Sequence, residues 1–344
     1  MLIEPPRPTN EPTPFRICVI GGGWAGSRQI EAVAELASDV EVLALVDPDV
    51  EHATGVAARF GIGSVYDDYR SILSDDTIDA VSVCTPHDSH RDIAIQAAEA
   101  GKHVLCEKPL ALSVQDGVEM NEVAERHGIT LFVAENECYT AQARFLKTGL
   151  SEIVGELLHV SVRSGFRSPD FGYSGRRAWL TQPEHGGTDT WTLQGVHTIA
   201  QIRFAFGEIE QVFMSPHSGA SFRRRNLNAS MTGTLVLEGG VAINLIQTSE
   251  VDFGDLRTYD IYGSEGSIAV NSNGYRLLGS VAADFVPFPS TGLSSYAREI
   301  RAFVANVRGE QSGPTTGRSE LQTLAVIQAG YESARDRSVV RLFS

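Results

Sequence analysis

A glycine-rich run lies between an apolar segment and a helical segment near the start of the chain. The run is Gly21-Gly22-Gly23-Trp24-Ala25-Gly26, and it follows the strand-like residues 15–20. Glycines in this context are typical of a dinucleotide-binding loop. Gly21 permits the tight turn, Gly23 lets the backbone approach a pyrophosphate, and Gly26 lets the helix pack closely on the sheet. The run therefore predicts a nicotinamide or flavin nucleotide whose phosphates lie at the positive end of the helix.

An aspartate after the next apolar segment favours NAD over NADP. About 20 residues beyond the glycines, the segment Val42–Val46 is followed by Asp47, whose carboxylate can accept hydrogen bonds from both hydroxyls of an adenosine ribose. NADP instead needs a cation for its 2′-phosphate, and here Pro48, Asp49 and Glu51 follow. We therefore predict NAD as the cofactor, with NADP the less favourable one.

Composition and charge narrow the class of protein. With 344 residues, of which 42% are hydrophobic, the chain is long enough for two domains with sizeable cores. Its formal net charge of −15 argues against nucleic acid as a partner. No apolar run approaches the roughly 18 residues of a membrane span, and the proline-rich start has no secretion signal, so we expect a cytoplasmic protein without a membrane partner. The four well-separated cysteines are expected to be reduced, mostly buried thiols.

The order of apolar and helical segments predicts two domains. Short strands alternate with helices up to a last strand at Thr130–Ala134, the pattern of a parallel sheet with helices on both faces. Beyond residue 150, apolar runs with period two are separated by glycine turns, which predicts an α+β domain with an open-faced, mostly antiparallel sheet. We therefore divide the chain into a disordered tail at 1–14, an NAD-binding Rossmann domain at 15–136, and a substrate-binding and oligomerisation domain at 137–344 whose C-terminal helices pack back on the core.

Two further motifs make the chain resemble a known family. They are Cys84-Thr85-Pro86-His87-Asp88-Ser89-His90 and Gly101-Lys102-His103-Val104-Leu105-Cys106-Glu107-Lys108-Pro109-Leu110-Ala111. Together with the glycine loop, they resemble the Gfo/Idh/MocA oxidoreductase family of glucose-fructose oxidoreductase, inositol dehydrogenase and relatives, over nearly the whole chain. The resemblance implies NAD(P)-linked oxidation or reduction of sugars, polyols or related compounds. It also implies a homo-oligomer, which we expect to be a homodimer or homotetramer.

The resemblance also implies the catalytic residues. Lys108 matches the family's catalytic lysine and stands just after a strand, where ligands of open α/β sheets bind. His197, in Gly195-Val196-His197, matches a histidine that serves as acid or base. The family's pattern has an aspartate four residues before that histidine, where this chain has Leu193. Asp189 is the nearest upstream carboxylate and the candidate replacement, provided that the Gly186-Gly187 turn is differently wound.

The remaining site residues complete these predictions. The expected cofactor contacts are Gly21, Gly23, Trp24, Ala25, Gly26, Asp47, Thr85, Pro86, His87, His90, Glu107 and Lys108. The expected substrate contacts are Lys108, Asn136, Tyr139, Arg163, Trp179, Trp191 and His197, because aromatic faces and forked arginine donors suit hydroxylated ligands. Asp88 lies between two histidines, and these residue types can bind a metal ion. However, a helix is expected to begin here and to need an N-cap, so we predict no metal.

Two classes of activity remain open on the sequence. The main hypothesis is an NAD-dependent dehydrogenase that oxidises a secondary hydroxyl of a sugar, polyol or related cyclic compound. The alternative is a hydrolase or lyase of glycosides that retains NAD and uses transient oxidation. A cofactor-binding sensor without turnover is disfavoured by Lys108 and His197, whereas nothing in the sequence separates the first two.

Overall fold

The computed structural model describes most of the chain. The described residues are 14–36, 39–167, 175–182, 185, 189–223, 227–279, 284–290, 292–310 and 313–342. The predicted disordered tail, apart from its last residue, and the Gly186-Gly187 turn lie outside them.

The first domain is a parallel sheet with helices between its strands, as predicted. The strands are β1 Phe15–Ile20, β2 Val40–Val46, β3 Ser64–Tyr66, β4 Ala80–Val83, β5 His103–Glu107 and β6 Leu131–Ala134. The helices are α1 Trp24–Ala34, α2 Val50–Phe60, α3 Arg70–Leu73, α4 His90–Glu99 and α5 Val114–Arg126. The strand order is β3-β2-β1-β4-β5-β6, with parallel neighbours throughout. This order is that of a Rossmann fold.

The strand order fixes where a ligand can bind. The direction of winding reverses between β1 and β4, and ligands of open α/β sheets bind outside the carboxyl ends of the strands at such a point. The residues after four of the strands therefore meet at one edge. They are the glycine loop after β1, Asp47 after β2, Lys108 after β5 and Glu135 after β6.

The second domain is built on a larger, mixed sheet. Its strands are β7 Leu157–Gly165, β8 Ile209–His217, β9 Ser230–Leu237, β10 Ala242–Thr248, β11 Arg257–Gly263, β12 Ser267–Val270, β13 Gly274–Leu277, β14 Val286–Pro287 and β15 Val340–Arg341. Its helices are α6 Ala141–Thr148, α7 Ser151–Val154, α8 Val196–Phe206, α9 Ala220–Arg223, α10 Ser295–Val307 and α11 Gly317–Asp336. Within the described ranges, only β7 and β10 pair in parallel. The predicted mostly antiparallel sheet is confirmed.

One face of this sheet is covered and the other is open. Along β10, Ile243 and Leu245 are buried, whereas Asn244 and Ile246, which alternate with them, are exposed. This alternation follows from the two-residue period of a strand. The covered face packs against α8 and α11.

The two C-terminal helices join the domains. In α10, Ile300 and Phe303 pack in the first domain with Phe132. In α11, Leu324 belongs to the core of the first domain, whereas Ile327 belongs to that of the second. The packing of α11 therefore fixes the two domains against each other.

Three general expectations can be compared with the fold. All four cysteines are free thiols, and Cys18, Cys106 and Cys138 are buried while Cys84 is partly exposed. No helix in the described part of the chain has both the length and the apolar character needed to cross a membrane. Among the same residues, no group of three or more histidine, cysteine, aspartate or glutamate side chains is arranged to hold a metal ion.

Candidate active site

A large cleft occupies the predicted edge of the Rossmann sheet. Its volume is about 1140 Å³, and residues of both domains line it. The predicted cofactor contacts that line it are Gly21, Gly23, Trp24, Ala25, Asp47, Thr85, Pro86, His87, Glu107 and Lys108. The predicted substrate residues Asn136, Trp179 and His197 line it as well, beside Leu193 and Tyr296. The cleft therefore brings most of the predicted residues together.

The glycine loop has the geometry that a dinucleotide requires. Gly21 has a φ of +102°, and a Cβ there would lie 2.5 Å from the carbonyl oxygen of Cys84. A Cβ on Gly26 would lie 1.9 Å from the carbonyl oxygen of Gly21. A Cβ on Gly23 would have no neighbour within 4 Å, so that position faces open space. The loop thus combines a tight turn, close helix packing and room for a pyrophosphate, and these residues fit NAD.

Asp47 is held in the cleft by hydrogen bonds from both domains. Its Oδ2 accepts a hydrogen bond of 2.8 Å from the amide of Gly22. The guanidinium of Arg176 donates to both Asp47 oxygens at 2.9 Å and also pairs with Asp49. Arg176 belongs to a 3-10 helix at Gly175–Thr181 in the second domain, 129 residues along the chain from Asp47. The sequence places Arg176 in a segment expected to cover the cleft, but its contact with Asp47 could not be predicted, because no local pattern links residues so far apart.

Lys108 lies beside the second domain in the cleft. Its Nζ donates a hydrogen bond of 3.0 Å to the carbonyl oxygen of Leu193. Burial lowers the pKa of Lys108, against an opposing effect of the nearby carboxylates Glu107 and Glu135. Burial also raises the pKa of Glu107 to about 7. A lysine with a lowered pKa beside carboxylates is one that can exchange a proton.

His197 is paired with a carboxylate from the other domain. Its Nδ1 lies 2.6 Å from Oε1 of Glu135, and the exposed fractions of the two side chains are 12% and 0%. Burial and the nearby Lys108 hold the pKa of His197 well below its usual range. Burial raises the pKa of Glu135 to about 7. With Nδ1 engaged by Glu135, Nε2 is the ring nitrogen left to face a ligand in the cleft.

The expectation that Asp189 orients His197 is wrong. Asp189 Oδ1 accepts from the amide of Trp191 at 3.0 Å, and its Oδ2 accepts from Asn228 Nδ2 at 2.7 Å. The hydroxyl of Tyr331 also donates to Asp189. These donors hold the carboxylate at the start of a π-helix, Trp191–Gly195, that leads into α8. Asp189 is thus a helix-capping residue, because a buried carboxylate at a helix start is stabilised by the unpaired amides there.

Two aromatic substrate candidates, one buried and one partly buried, do not line the cleft. Trp191 is 0% exposed and donates from Nε1 to the carbonyl oxygen of Ile327 at 2.9 Å. The hydroxyl of Tyr139 lies 3.0 Å from Oγ1 of Thr315. Both side chains satisfy their polar atoms inside the protein, so they support the fold beneath the site.

Three further candidates also lie outside the lining of the cleft. His90 is fully buried, and its two ring nitrogens lie 3.0 Å from the carbonyl oxygen of Pro109 and 3.1 Å from that of Thr85. His90 therefore connects the loop after β4 with the loop after β5. Gly26 is buried in α1, close to the carbonyl oxygen of Gly21. Arg163 lies on the open face of the second sheet, because its neighbours in β7 are buried on the covered face. Its guanidinium is 3.9 Å from the carboxylate of Asp260.

Comparison with known proteins places the chain in a family. Residues 15–135 match the model described as an oxidoreductase family with an NAD-binding Rossmann fold, and residues 150–269 match the GFO/IDH/MocA C-terminal domain. The chain belongs to the Gfo/Idh/MocA oxidoreductase family. The resemblance inferred from the sequence motifs is confirmed, and the cofactor class of the first domain is NAD.

Individual relatives are similar over almost their full length. D-apiose dehydrogenase of Paraburkholderia graminis is 29% identical, covering 96% of this chain and 90% of that protein. D-xylose 1-dehydrogenase (NADP(+)) 2 of Haloferax volcanii is 25% identical, covering 94% of this chain and 98% of that protein. A solved structure of levoglucosan dehydrogenase with NADH and levoglucosan has a TM-score of 0.82 at 22% identity, covering 96% of this chain and 100% of that chain. This last likeness concerns the fold.

Proposed function

We propose that this member of the family is an NAD-dependent dehydrogenase that oxidises, reversibly, a secondary hydroxyl of a sugar, polyol or related cyclic compound. The observation that carries the proposal is that Lys108, from the first domain, and His197, from the second, line the same cleft as Asp47 and the glycine loop. The names of D-apiose and D-xylose dehydrogenases among the relatives support a sugar substrate. Neither these names nor the site favours the hydrolase or lyase alternative.

Lys108 and His197 can divide the chemistry of alcohol oxidation. When bound, NAD supplies the hydride acceptor. Lys108 Nζ donates a hydrogen bond to the substrate oxygen and stabilises negative charge on it as the carbonyl forms. His197 Nε2 takes the hydroxyl proton as a general base. The lowered pKa of each residue agrees with its function. The low pKa of His197 keeps its imidazole neutral at neutral pH.

The proposed activity can be tested by following the cofactor and the sugar together. The pure protein is mixed with excess NAD and a panel of pentoses, hexoses, anhydrosugars and cyclic polyols. A dehydrogenase accumulates NADH in a one-to-one ratio to the oxidised sugar. Release of a cleaved product without NADH would instead establish the hydrolase or lyase.

We predict that the protein prefers NAD to NADP by at least tenfold, or about 1.4 kcal/mol. The reason is that the Asp47 carboxylate would face the 2′-phosphate of NADP. Asp47→Ala should narrow this preference, because it removes that charge and frees Arg176 from its main partner at the same position. The measurement is kcat/KM for each cofactor with one substrate. Equal use of both cofactors by the unaltered protein would contradict the assignment.

We also propose that the protein works in the cytoplasm as a homodimer or homotetramer that forms through the open sheet face. Phe213, Ile246 and Tyr262 are on that face and are 41%, 40% and 39% exposed. Apolar side chains grouped on one sheet face are typical of an interface.

We predict that light scattering gives the mass of a dimer or tetramer and that Ile246→Lys shifts it towards the monomer, because a charge on a buried apolar contact opposes association. Leu112→Lys is a matched control, since Leu112 is 49% exposed on the first domain. A monomer mass for the unaltered protein would refute the interface.

A further inference from the structure

The carboxylate that contacts His197 is held in place before any ligand arrives. Glu135 follows β6 directly and begins the 3-10 helix Asn136–Tyr139. Its Oε1 accepts from the amide of Glu137 at 3.2 Å and also meets His197 Nδ1 at 2.6 Å. The side chain is completely buried, so water does not compete for these contacts. Such a fixed acceptor determines the orientation of an imidazole.

Neither of the other two candidate positions, residues 193 and 189, supplies a carboxylate to His197. Leu193 has an apolar side chain, and its carbonyl oxygen accepts from Lys108 Nζ. Asp189 is engaged by Trp191, Asn228 and Tyr331 at the start of the π-helix. A backbone carbonyl therefore contacts Lys108, and a carboxylate from the first domain contacts His197.

We propose that Glu135 is the positioning residue of His197, fixing the imidazole as the Nδ1–H tautomer with an unprotonated Nε2 in the cleft. Glu135 stands on the nucleotide-binding domain and His197 on the second domain, so the general base is complete only when the two domains are packed together. The tautomer itself follows from the contact with Glu135. Its catalytic consequence rests on the proposed dehydrogenase function.

The proton and electron count of the step is simple under this proposal. The substrate O–H bond breaks and its proton goes to His197 Nε2. The C–H bond breaks with its electron pair going to NAD as hydride, and the C=O bond forms. The Nδ1 proton stays on the ring, and Glu135 stabilises the imidazolium that results.

The surroundings of the pair set the direction of its pH dependence. Two cations and four carboxyl groups interact with the pair, and they are Lys108, Arg257, Glu107, Glu137, Glu299 and Glu320. Because burial raises the pKa of Glu135 to about 7, the pair takes up a proton as the pH falls through this range. The base form is then lost. Oxidation should therefore slow on the acidic side of about pH 7.

The first test reads the tautomer and requires no activity. The unaltered protein is labelled with ¹⁵N in its histidines, and the His197 signals are assigned by their loss in His197→Asn. We expect the Nδ1–H tautomer at pH 8. The Nε2–H tautomer would overturn the proposal whatever the substrate proves to be, so this failure is distinguishable from failure of the dehydrogenase assignment.

The second test compares the two carboxylates in the pH profile of kcat/KM. Glu135→Gln removes the charge but keeps an acceptor oxygen. We therefore expect the plateau of kcat/KM to fall about tenfold to a hundredfold, a smaller loss than the 10²–10⁴ typical for removal of the base itself. The acidic limb should also move to lower pH, because His197 alone is held low by burial and Lys108. Asp189→Asn is the matched control and should lower thermal stability without moving the limb. An unmoved limb in Glu135→Gln, or a moved limb in Asp189→Asn alone, would overturn the proposal.

Discussion

Replacing Lys108 by methionine is expected to lower kcat by about 10²–10⁴, the usual worth of acid–base and charge assistance at a reacting oxygen. Methionine keeps most of the volume of the lysine side chain but removes its charge and its hydrogen-bond donors. The hydrogen bond to Leu193 is lost as well. NAD affinity should change little, because the glycine loop and Asp47 are expected to make most of the contacts that bind NAD. The measurements are kcat under saturating substrate and the dissociation constant of NAD.

Comparing the fall in kcat of Lys108→Met with that of His197→Asn tests whether His197 has an orienting carboxylate. A histidine without an orienting carboxylate would be a weak base, and its loss would then cost much less than the loss of Lys108. Because Glu135 lies 2.6 Å from His197, we expect the two defects to be similar in size. Near-normal turnover in Lys108→Met, with folding and NAD affinity intact, would show that the chemistry lies on other residues.

The parts of the site that the sequence predicts are those encoded by local patterns. The glycine loop, Asp47 and Lys108 each follow a strand of the Rossmann sheet, and the strand order brings such positions to one edge. The two-residue period of a strand also determines the face on which Arg163 lies. Val160 and Val162 point to the covered face, so the next residue in β7 has to lie on the open one.

The parts that could not be predicted are contacts between distant segments. Glu135 meets His197 and Arg176 meets Asp47 across the domain junction, and no spacing in the sequence encodes either pair. Burial of aromatic residues is equally hidden. Trp179 lines the cleft, whereas Trp191 is buried in the core, where α11 packs against the π-helix and accepts a hydrogen bond from the Trp191 indole.

Alanine substitutions at two glycines of the cofactor loop should separate folding from NAD binding. In Gly26→Ala, the new Cβ would lie 1.9 Å from the carbonyl oxygen of Gly21, so the backbone of the loop must shift. Overpacking of this kind typically costs about 1–3 kcal/mol. We expect a lower melting temperature together with a loss of NAD affinity of about tenfold to a hundredfold, since each tenfold corresponds to about 1.4 kcal/mol.

Gly23→Ala is the matched variant, because a Cβ at Gly23 has no protein atom within 4 Å. Gly23 has a φ of −71°, which alanine adopts without strain, so the melting temperature should stay the same or rise slightly. NAD affinity should nevertheless fall, because the added methyl group occupies the space that a pyrophosphate needs at the start of α1. Calorimetry of NAD binding and thermal unfolding of both variants provide the measurements. Normal NAD affinity in Gly23→Ala would place the pyrophosphate elsewhere, whereas a lower melting temperature there would mean that the open space at Gly23 is part of the fold.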